Sequence, residues 1–348
     1  MRLSPPGPFS EERCLSMPTQ QHLLEYQTLR EKAGYFRDDF NAGFEISGKD
    51  AVPYLQGMVS NDVQSLKPGQ GCYAACLTAV GKMISDLWVY RYEEGVFVIL
   101  PKSQKKKIMD HLDQFVFIEE VSFKDLEEET DLFFLQGPLS GKLIEEVTGE
   151  KIMWAPNSHR SFLWKGVPIR MVHISTTGEE GFGLLIPKHA TTGFLQELVK
   201  KGDSYGLRQI GPETVEVLRI EAGLPRFGID MNESTIPLEA GLSHAVSYTK
   251  GCYVGQEVIA RATHIGHVNK ALTGLKVEGP ASAGDKMIEN GNEIGHLTSA
   301  CYSPVLASFA ALATVRRESS KPGTPVDIHT SYGVQKAQVI PLPFYARS

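Results

Sequence analysis

Apolar positions in this chain recur with two periods, and the change of period marks its organisation. From Pro18 to about Lys32 the run HLLEYQTLREKAG has helical spacing and stops near Gly34. A strand-like GFEIS follows, and Gly48-Lys-Asp-Ala opens a second helix, KDAVPYLQGMV, with Pro53 in the first turn, where a missing N–H costs nothing. CYAACLTAV, KMISDLWVYRY and GVFVILP are three β-rich runs with short connections, the first two joined at Gly81, and they read as a meander or hairpin set. SQKKKIMDHLDQF and GPETVEVLRIEAG read as helices, as does PLSGKLIEEVTG with Gly149 at its C-terminal cap. A further helix is expected at ATTGFLQELVKKG, capped by a threonine and ended by Gly202. DLFFLQG is a strand, and VPIRMVHIST and GFGLLIP form a strand pair around the turn TGEEG.

After Lys250 the pattern shifts to strand and turn. ALTGLKVEG, GNEIGHLTSACYS, FAALATVRR, TPVDIHT and VQKAQVI follow one another at roughly ten-residue spacing, which suggests a small β-barrel or sandwich. The expected organisation is a disordered tail over 1–19, rich in proline at its start, a main α+β region over 20–268 and a β domain over 269–348.

Charge narrows the function classes. Lys+Arg 35 against Asp+Glu 41 gives a net charge of −6, without the global basic field of a nucleic-acid binder, so no direct nucleic-acid partner is expected. The N-terminus MRLSPPGPFSEERCLSMPTQQ has no apolar core and carries Glu11 and Glu12, which fits neither a secretory signal nor a transit peptide; Met17 is an alternative start. The longest weakly polar run, Val305–Val315, is too short to span a bilayer. Five irregularly spaced cysteines (Cys14, Cys72, Cys76, Cys252, Cys301) are not a disulfide framework, and a cytoplasmic location is expected.

Most candidate motifs have plainer readings. Gly69-Gln-Gly71-Cys-Tyr-Ala74 matches a dinucleotide fingerprint formally, but a strand follows it where a helix is required, so it reads as a turn. The charge runs KSQKKK and Glu127–Glu129 read as solvated surface. Cys72 and Cys76 lie on one side of a strand about 13 Å apart, too far to share a metal, and read as core. His264-Ile-Gly-His267 has ligand-like spacing, but a closed zinc site needs four donors, so no metal is assigned.

The sharpest feature is Lys250-Gly-Cys-Tyr-Val-Gly-Gln-Glu257, followed by Val258-Ile-Ala-Arg261. Gly251 and Gly255 bracket Cys252 on a loop ahead of a helix, with a lysine two residues away. Helix N–H groups and a cation both favour thiolate, while Gln256 and Glu257 are placed to satisfy free N–H groups or orient a ligand. The other reading is a buried structural cysteine in a tight turn. No G-x-S-x-G occurs, so hydrolase chemistry has little support.

At these residues a resemblance becomes visible. KGCYVGQEVIAR resembles the signature of the YgfZ family, relatives of the glycine-cleavage T-protein (aminomethyltransferase) that act in iron–sulfur protein maturation. GKDAVPYLQGMVSNDVQSLKPG, GKMISDLWVYR, LFFLQGP, TGEEGFGLLIP, LRIEAGLPRFGIDMNESTIPLEAGL and ENGNEIGHLTSACYSP are similar to T-protein-superfamily segments, in the same order, from about residue 20 to the end. The resemblance implies an α+β fold: a T-protein-like ring of three subdomains around a central folate channel, two of them interleaved within 20–268 and the last a C-terminal β-barrel.

Departures from the T-protein pattern point toward the YgfZ branch. The aspartate pair of aminomethyltransferases, one of which works at the folate nitrogen, reads Ser85-Asp86 here. The pterin-holding acid falls at Gly183, an arginine falls at Val215, and Cys252 stands where T-proteins have an acid. The expected function is therefore support of iron–sulfur cluster assembly or repair in client enzymes, with tetrahydrofolate as cofactor and a transient iron–sulfur cluster or sulfur on Cys252. Folate and iron–sulfur client or assembly proteins are the expected partners. Cys252 and Lys250 are the expected reactive pair. Asn61, Asp86, Arg226, Gly251, Tyr253, Gly255, Gln256, Glu257 and Arg261 are the expected cofactor-binding residues. Two alternatives stand beside this: a tetrahydrofolate-dependent aminomethyltransferase, and a non-catalytic adaptor with a vestigial channel.

Overall fold

The computed structural model describes residues 17–149, 151, 155–264 and 266–347. Most of the expected N-terminal tail, Cys14 and Ile265 of the His264–His267 segment lie outside the described residues.

Helix α1 (Gln20–Glu31) starts at Thr19, whose hydroxyl accepts the His22 N–H. Strands β1 (Gly34–Arg37) and β2 (Asn41–Ser47) and helix α2 (Ala51–Met58) follow. The expected meander is β3 (Gly71–Leu77), β4 (Met83–Tyr92) and β5 (Gly95–Pro101), antiparallel neighbours that end at helix α3 (Lys102–Asp113). With β2 and β6 (Ser122–Asp125) they form a five-stranded sheet in the order β3-β4-β5-β2-β6.

Next come β7 (Thr130–Gln136), α4 (Ser140–Thr148), β8 (His159–Trp164), β9 (Val167–His173), β10 (Gly181–Pro187), α5 (Lys188–Gly202), β11 (Arg208–Gln209) and α6 (Pro212–Glu221). They build a six-stranded sheet, β11-β1-β7-β10-β9-β8, that takes β1 from the start of the chain. The two halves are therefore interleaved in sequence. The threonine cap expected for α5 is not formed: Pro187 is its N-cap residue, and the Thr191 hydroxyl, inside the first turn, bonds Asp131 at 2.8 Å.

The sheets face one another across Tyr90, Phe97 and Ile99 on one side and Phe36, Phe134, Val172 and Leu185 on the other. Helices α2 and α3 cover the outer face of the five-stranded sheet through Leu55, Met58, Ile108 and Leu112. Helices α4 and α5 cover the other through Leu143, Ile144, Phe194 and Leu198. Burying these apolar surfaces in layers stabilises the fold by roughly 25 cal/mol for each Å² removed from water.

After α7 (Gln256–His264), strands β12 (Lys270–Val277), β13 (Lys286–Glu289), β14 (Asn292–Ser303), β15 (Ser308–Arg316), β16 (Pro325–Thr330) and β17 (Gly333–Ile340) close a six-stranded barrel in the order β12-β15-β14-β13-β16-β17. Of the two forms the spacing allowed, barrel or sandwich, closure selects the barrel, since β12 pairs with β17. The barrel seats on α6 through Val217 and Ile220 against Cys301, Ala310 and Leu312.

Five short strands were not legible in the pattern: β1 has four residues and β11 two. β6 and β13 have four residues each, and β8, HRSFLW, alternates too weakly to stand out.

Candidate functional site

Between the two sheets and the barrel lies a cavity of about 1750 Å³. Tyr73, Asp86 and Trp88 line it from the five-stranded sheet, Phe36, Phe134 and Ile174 from the six-stranded sheet, Val215 and Arg219 from α6, and Leu272 from the barrel.

Strand register explains the first group. In the β3–β4 pair Tyr73 faces Trp88 and Ala75 faces Asp86, so all four side chains share one face of the sheet. Ser85 is opposite Cys76 and shares the other face, packed under α2 with Leu87 and Val89. A serine in place of the first aspartate of the pair therefore removes no acid from the cavity. Of the Ser85-Asp86 pair, Asp86 is the residue that lines it.

Asp86 is 4 % exposed. Its Oδ2 accepts the Tyr73 hydroxyl at 2.6 Å, and Oδ1 is buried with no partner among the described residues. Burial pushes its pKa up to about 6, against the smaller opposing pull of the Tyr73 hydrogen bond. Tyr73 lies between aromatic neighbours, with Trp88 at 5.0 Å and 45° and His244 at 5.5 Å and 15° between ring centroids. Tyr73, Trp88 and His244 were missed by sequence reasoning; alternation along CYAAC and SDLW, combined with the hairpin register, is the signal that finds the first two.

A buried ionic cluster forms the wall near α6. Arg219 bonds Glu216 at 2.9 Å, Asp230 at 2.6 Å and the Ser299 hydroxyl of the barrel at 2.7 Å. Arg226 lines the cavity, bonds Glu216 at 2.8 Å and stacks over Phe40 at 4.5 Å. Arg30 pairs with Glu179 at 2.6 Å and with Glu221, whose carboxylate also takes the Tyr26 hydroxyl at 2.7 Å. These pairs tie the barrel, α1 and α6 together.

The KGCYVGQE loop lies outside the cavity. Cys252 and Gly251 are exposed, as are Glu257 and Arg261 on α7, and none of the four lines the cavity. Lys250 turns its ammonium onto the carbonyls of Gln56 (2.5 Å), Val59 (2.7 Å) and Asn61 (2.9 Å), and burial lowers its pKa to about 8. Tyr253 is buried beside it. Gln256 accepts the Tyr253 N–H at 3.4 Å. Asn61 donates to the carbonyls of Tyr73 at 2.8 Å and His244 at 3.1 Å. Of the expected binding residues, the structure thus brings Asp86 and Arg226 to the cavity and gathers the rest around the loop. No group of three or more His, Cys, Asp or Glu that could hold a metal occurs among the described residues.

This arrangement has known counterparts. The family model of the GCVT N-terminal domain matches residues 6–250, and that of the glycine cleavage T-protein C-terminal barrel domain matches residues 270–346. The chain belongs to the glycine cleavage T-protein family. A Synechococcus sp. (strain RCC307) protein named aminomethyltransferase is 30% identical over 330 residues, covering 93% of this chain and 90% of its own length. A protein of the same name from Desulfitobacterium hafniense (strain DSM 10664 / DCB-2) is 29% identical over 342 residues, covering 95% and 92%. The crystal structure of glycine cleavage system aminomethyltransferase T from Bartonella henselae superposes with a TM-score of 0.85 at 25% identity, covering 93% of this chain and 89% of that one.

Packing surrounds the two positions, Gly183 and Val215, where the sequence reading expected departures from the T-protein pattern. A Cβ at Gly183 would lie 2.7 Å from Val172 Cγ2 and 3.2 Å from Phe134 Cε1, so the space for an acidic side chain is already filled. Val215 is buried in the same apolar cluster as Phe36 and Phe134. Asp86 is thus one of several carboxyl groups lining the cavity, with Glu25, Asp38, Asp39, Asp131, Glu179 and Glu180, and Val215 adds an apolar stretch to the wall.

Proposed function

We propose that this chain binds tetrahydrofolate in the cavity and transfers an aminomethyl-derived one-carbon unit to it, as an aminomethyltransferase. The observation that carries the reading is Asp86, a buried cavity carboxyl with one oxygen engaged by Tyr73 and the other without a partner. A buried acceptor left unmade costs about 1–3 kcal/mol, which a ligand N–H recovers. The folate fits on this ground, on a volume ample for its length, and on walls of Phe36, Phe134 and Trp88 suited to planar rings. Kinship with proteins named aminomethyltransferase supports the same reading.

When bound, tetrahydrofolate supplies the nitrogen that accepts the one-carbon unit. Asp86, with a pKa near 6, is ionised at neutral pH; its Oδ1 accepts a proton from that nitrogen or holds it by a hydrogen bond. Tyr73 keeps Oδ2 occupied and fixes the carboxyl plane. The apolar walls exclude water from the reacting nitrogen. Arg226 at the wall is suited to a ligand carboxylate. Titration calorimetry with tetrahydrofolate between pH 5 and 8 tests this: saturable binding strengthens as pH rises through 6 and loses that dependence in Asp86→Asn. Absence of saturable heat refutes it.

Cys252 favours a second reading. Its thiol is exposed on a glycine-bracketed loop whose sequence resembles the YgfZ signature. A YgfZ-like role in iron–sulfur assembly or repair would use that thiol toward a client or assembly protein supplying the remaining ligands. Complementation of a deletion strain decides between them: under this reading the wild-type chain rescues cluster-dependent enzymes and Cys252→Ser does not, whereas under the first the wild-type chain gives no such rescue and Cys252→Ser keeps full aminomethyltransferase activity.

A further inference from the structure

The loop carrying Cys252 is outside the cavity, yet its lysine is joined to the cavity acid by consecutive hydrogen bonds. Lys250 Nζ donates to the Asn61 carbonyl at 2.9 Å. The Asn61 amide donates to the Tyr73 carbonyl at 2.8 Å, and the Tyr73 hydroxyl donates to Asp86 Oδ2 at 2.6 Å. The Asn61 amide also holds the His244 carbonyl at 3.1 Å, and the His244 ring stacks on Tyr73. One side chain therefore grips both the backbone of Tyr73 and the segment that supports its ring.

We propose that Asn61 and Lys250 are positioning residues for Asp86, acting through Tyr73, so that one carboxyl oxygen stays occupied and the other stays open to the ligand. This rests on the reading of Asp86 as the acid of the folate cavity. Lys250 pins the carbonyls of Gln56, Val59 and Asn61 in the segment that presents Asn61, and loss of the ammonium leaves those carbonyls without a shared donor. A displacement of Tyr73 by half an ångström carries a 2.6 Å hydrogen bond out of its favourable range.

The charged and titratable surroundings are few. Asp86 is faced by Tyr73 from β3, with His244 stacked behind that ring. Lys250 is faced by Asp62 and Cys72, with the Tyr253 ring centroid at 5.0 Å. Because the Tyr73 hydrogen bond favours the carboxylate, weakening any link raises the pH at which Asp86 ionises.

The test is the carboxyl titration of Asp86 in the ligand-free full chain, read by carbon-13 NMR of aspartate-labelled protein and assigned with Asp86→Asn. Tyr73→Phe raises the midpoint by about one pH unit, and Asn61→Leu and Lys250→Met each raise it by about half as much. Lys250→Arg, which keeps a cation and several donors, returns it toward the wild-type value. Lys106→Ala, on the exposed face of α3, leaves it unchanged. Asn61→Ser is a milder cut at the same link should Asn61→Leu fail to fold. A folded variant at Asn61 or Lys250 with the wild-type midpoint, while Tyr73→Phe shifts, overturns the proposal. The titration needs no ligand, so its outcome is separate from whether tetrahydrofolate binds.

Discussion

Gly81 and Gly255 meet backbone to backbone: a Cβ at Gly255 would lie 3.2 Å from Gly81 Cα and 2.7 Å from the Thr78 carbonyl. Both have positive φ, +73° and +86°, so each turn needs glycine for its conformation as well as for space. This contact seats the KGCYVGQE loop against the β3–β4 hairpin that carries Asp86. Gly255→Ala is expected to destabilise the protein by about 2–4 kcal/mol, combining left-handed strain with a backbone clash. Urea unfolding measures it, and a change below 1 kcal/mol contradicts the packing.

Asp86 is expected to trade stability for function. Its pKa rises from 3.8 unfolded to about 6 folded, so the folded state binds the proton more tightly. The favourable contribution is present in full below pH 4 and lost as pH rises through 6, leaving an ionised buried carboxylate whose cost is about 3 kcal/mol. Asp86→Asn should therefore stabilise the ligand-free protein above pH 7 and leave it near wild type at pH 4. Thermal unfolding at both values checks the sign.

Arg219 joins Glu216, Asp230 and Ser299 inside the contact between α6 and the barrel. Arg219→Met leaves buried Asp230 without its cation and Glu216 with Arg226 alone, and is expected to cost about 3–5 kcal/mol. Double substitution with Glu216→Gln should recover part of that loss, which a double-mutant cycle reads directly.

Burial divides the described cysteines. Cys72 and Cys76 are pushed up to about 12, and Cys301 is fully buried, while Cys252 is exposed. Brief iodoacetamide treatment of native protein followed by peptide mapping should label Cys252 and spare the other three. Labelling of Cys72 at a comparable rate contradicts the fold around β3.

Much of the architecture was legible because its signals are local. The continuous apolar run Gly95–Pro101 and the β-rich runs Asn292–Ser303 and Ser308–Arg316 announce strands, and Gly149 and Gly202 mark helix ends. The interleaving of the two sheets was not legible from periodicity: β1 has four residues and finds β7 and β11 far along the chain, and that information came from family resemblance. The site divided in the same way. Asp86 could be named from its place in a motif, but its Tyr73 partner required cross-strand register. Where Lys250 points depends on carbonyls nearly two hundred residues away, which no spacing in KGCYVGQE encodes.

The most direct test of the proposed function is single-turnover release of ammonia from the aminomethyl intermediate of glycine cleavage by the purified full chain, with and without tetrahydrofolate. The account predicts release that requires tetrahydrofolate, forms methylenetetrahydrofolate in equal amount and falls by roughly a hundredfold or more in Asp86→Asn. Release at the same rate without tetrahydrofolate, no release at all, or an undiminished Asp86→Asn enzyme would contradict it.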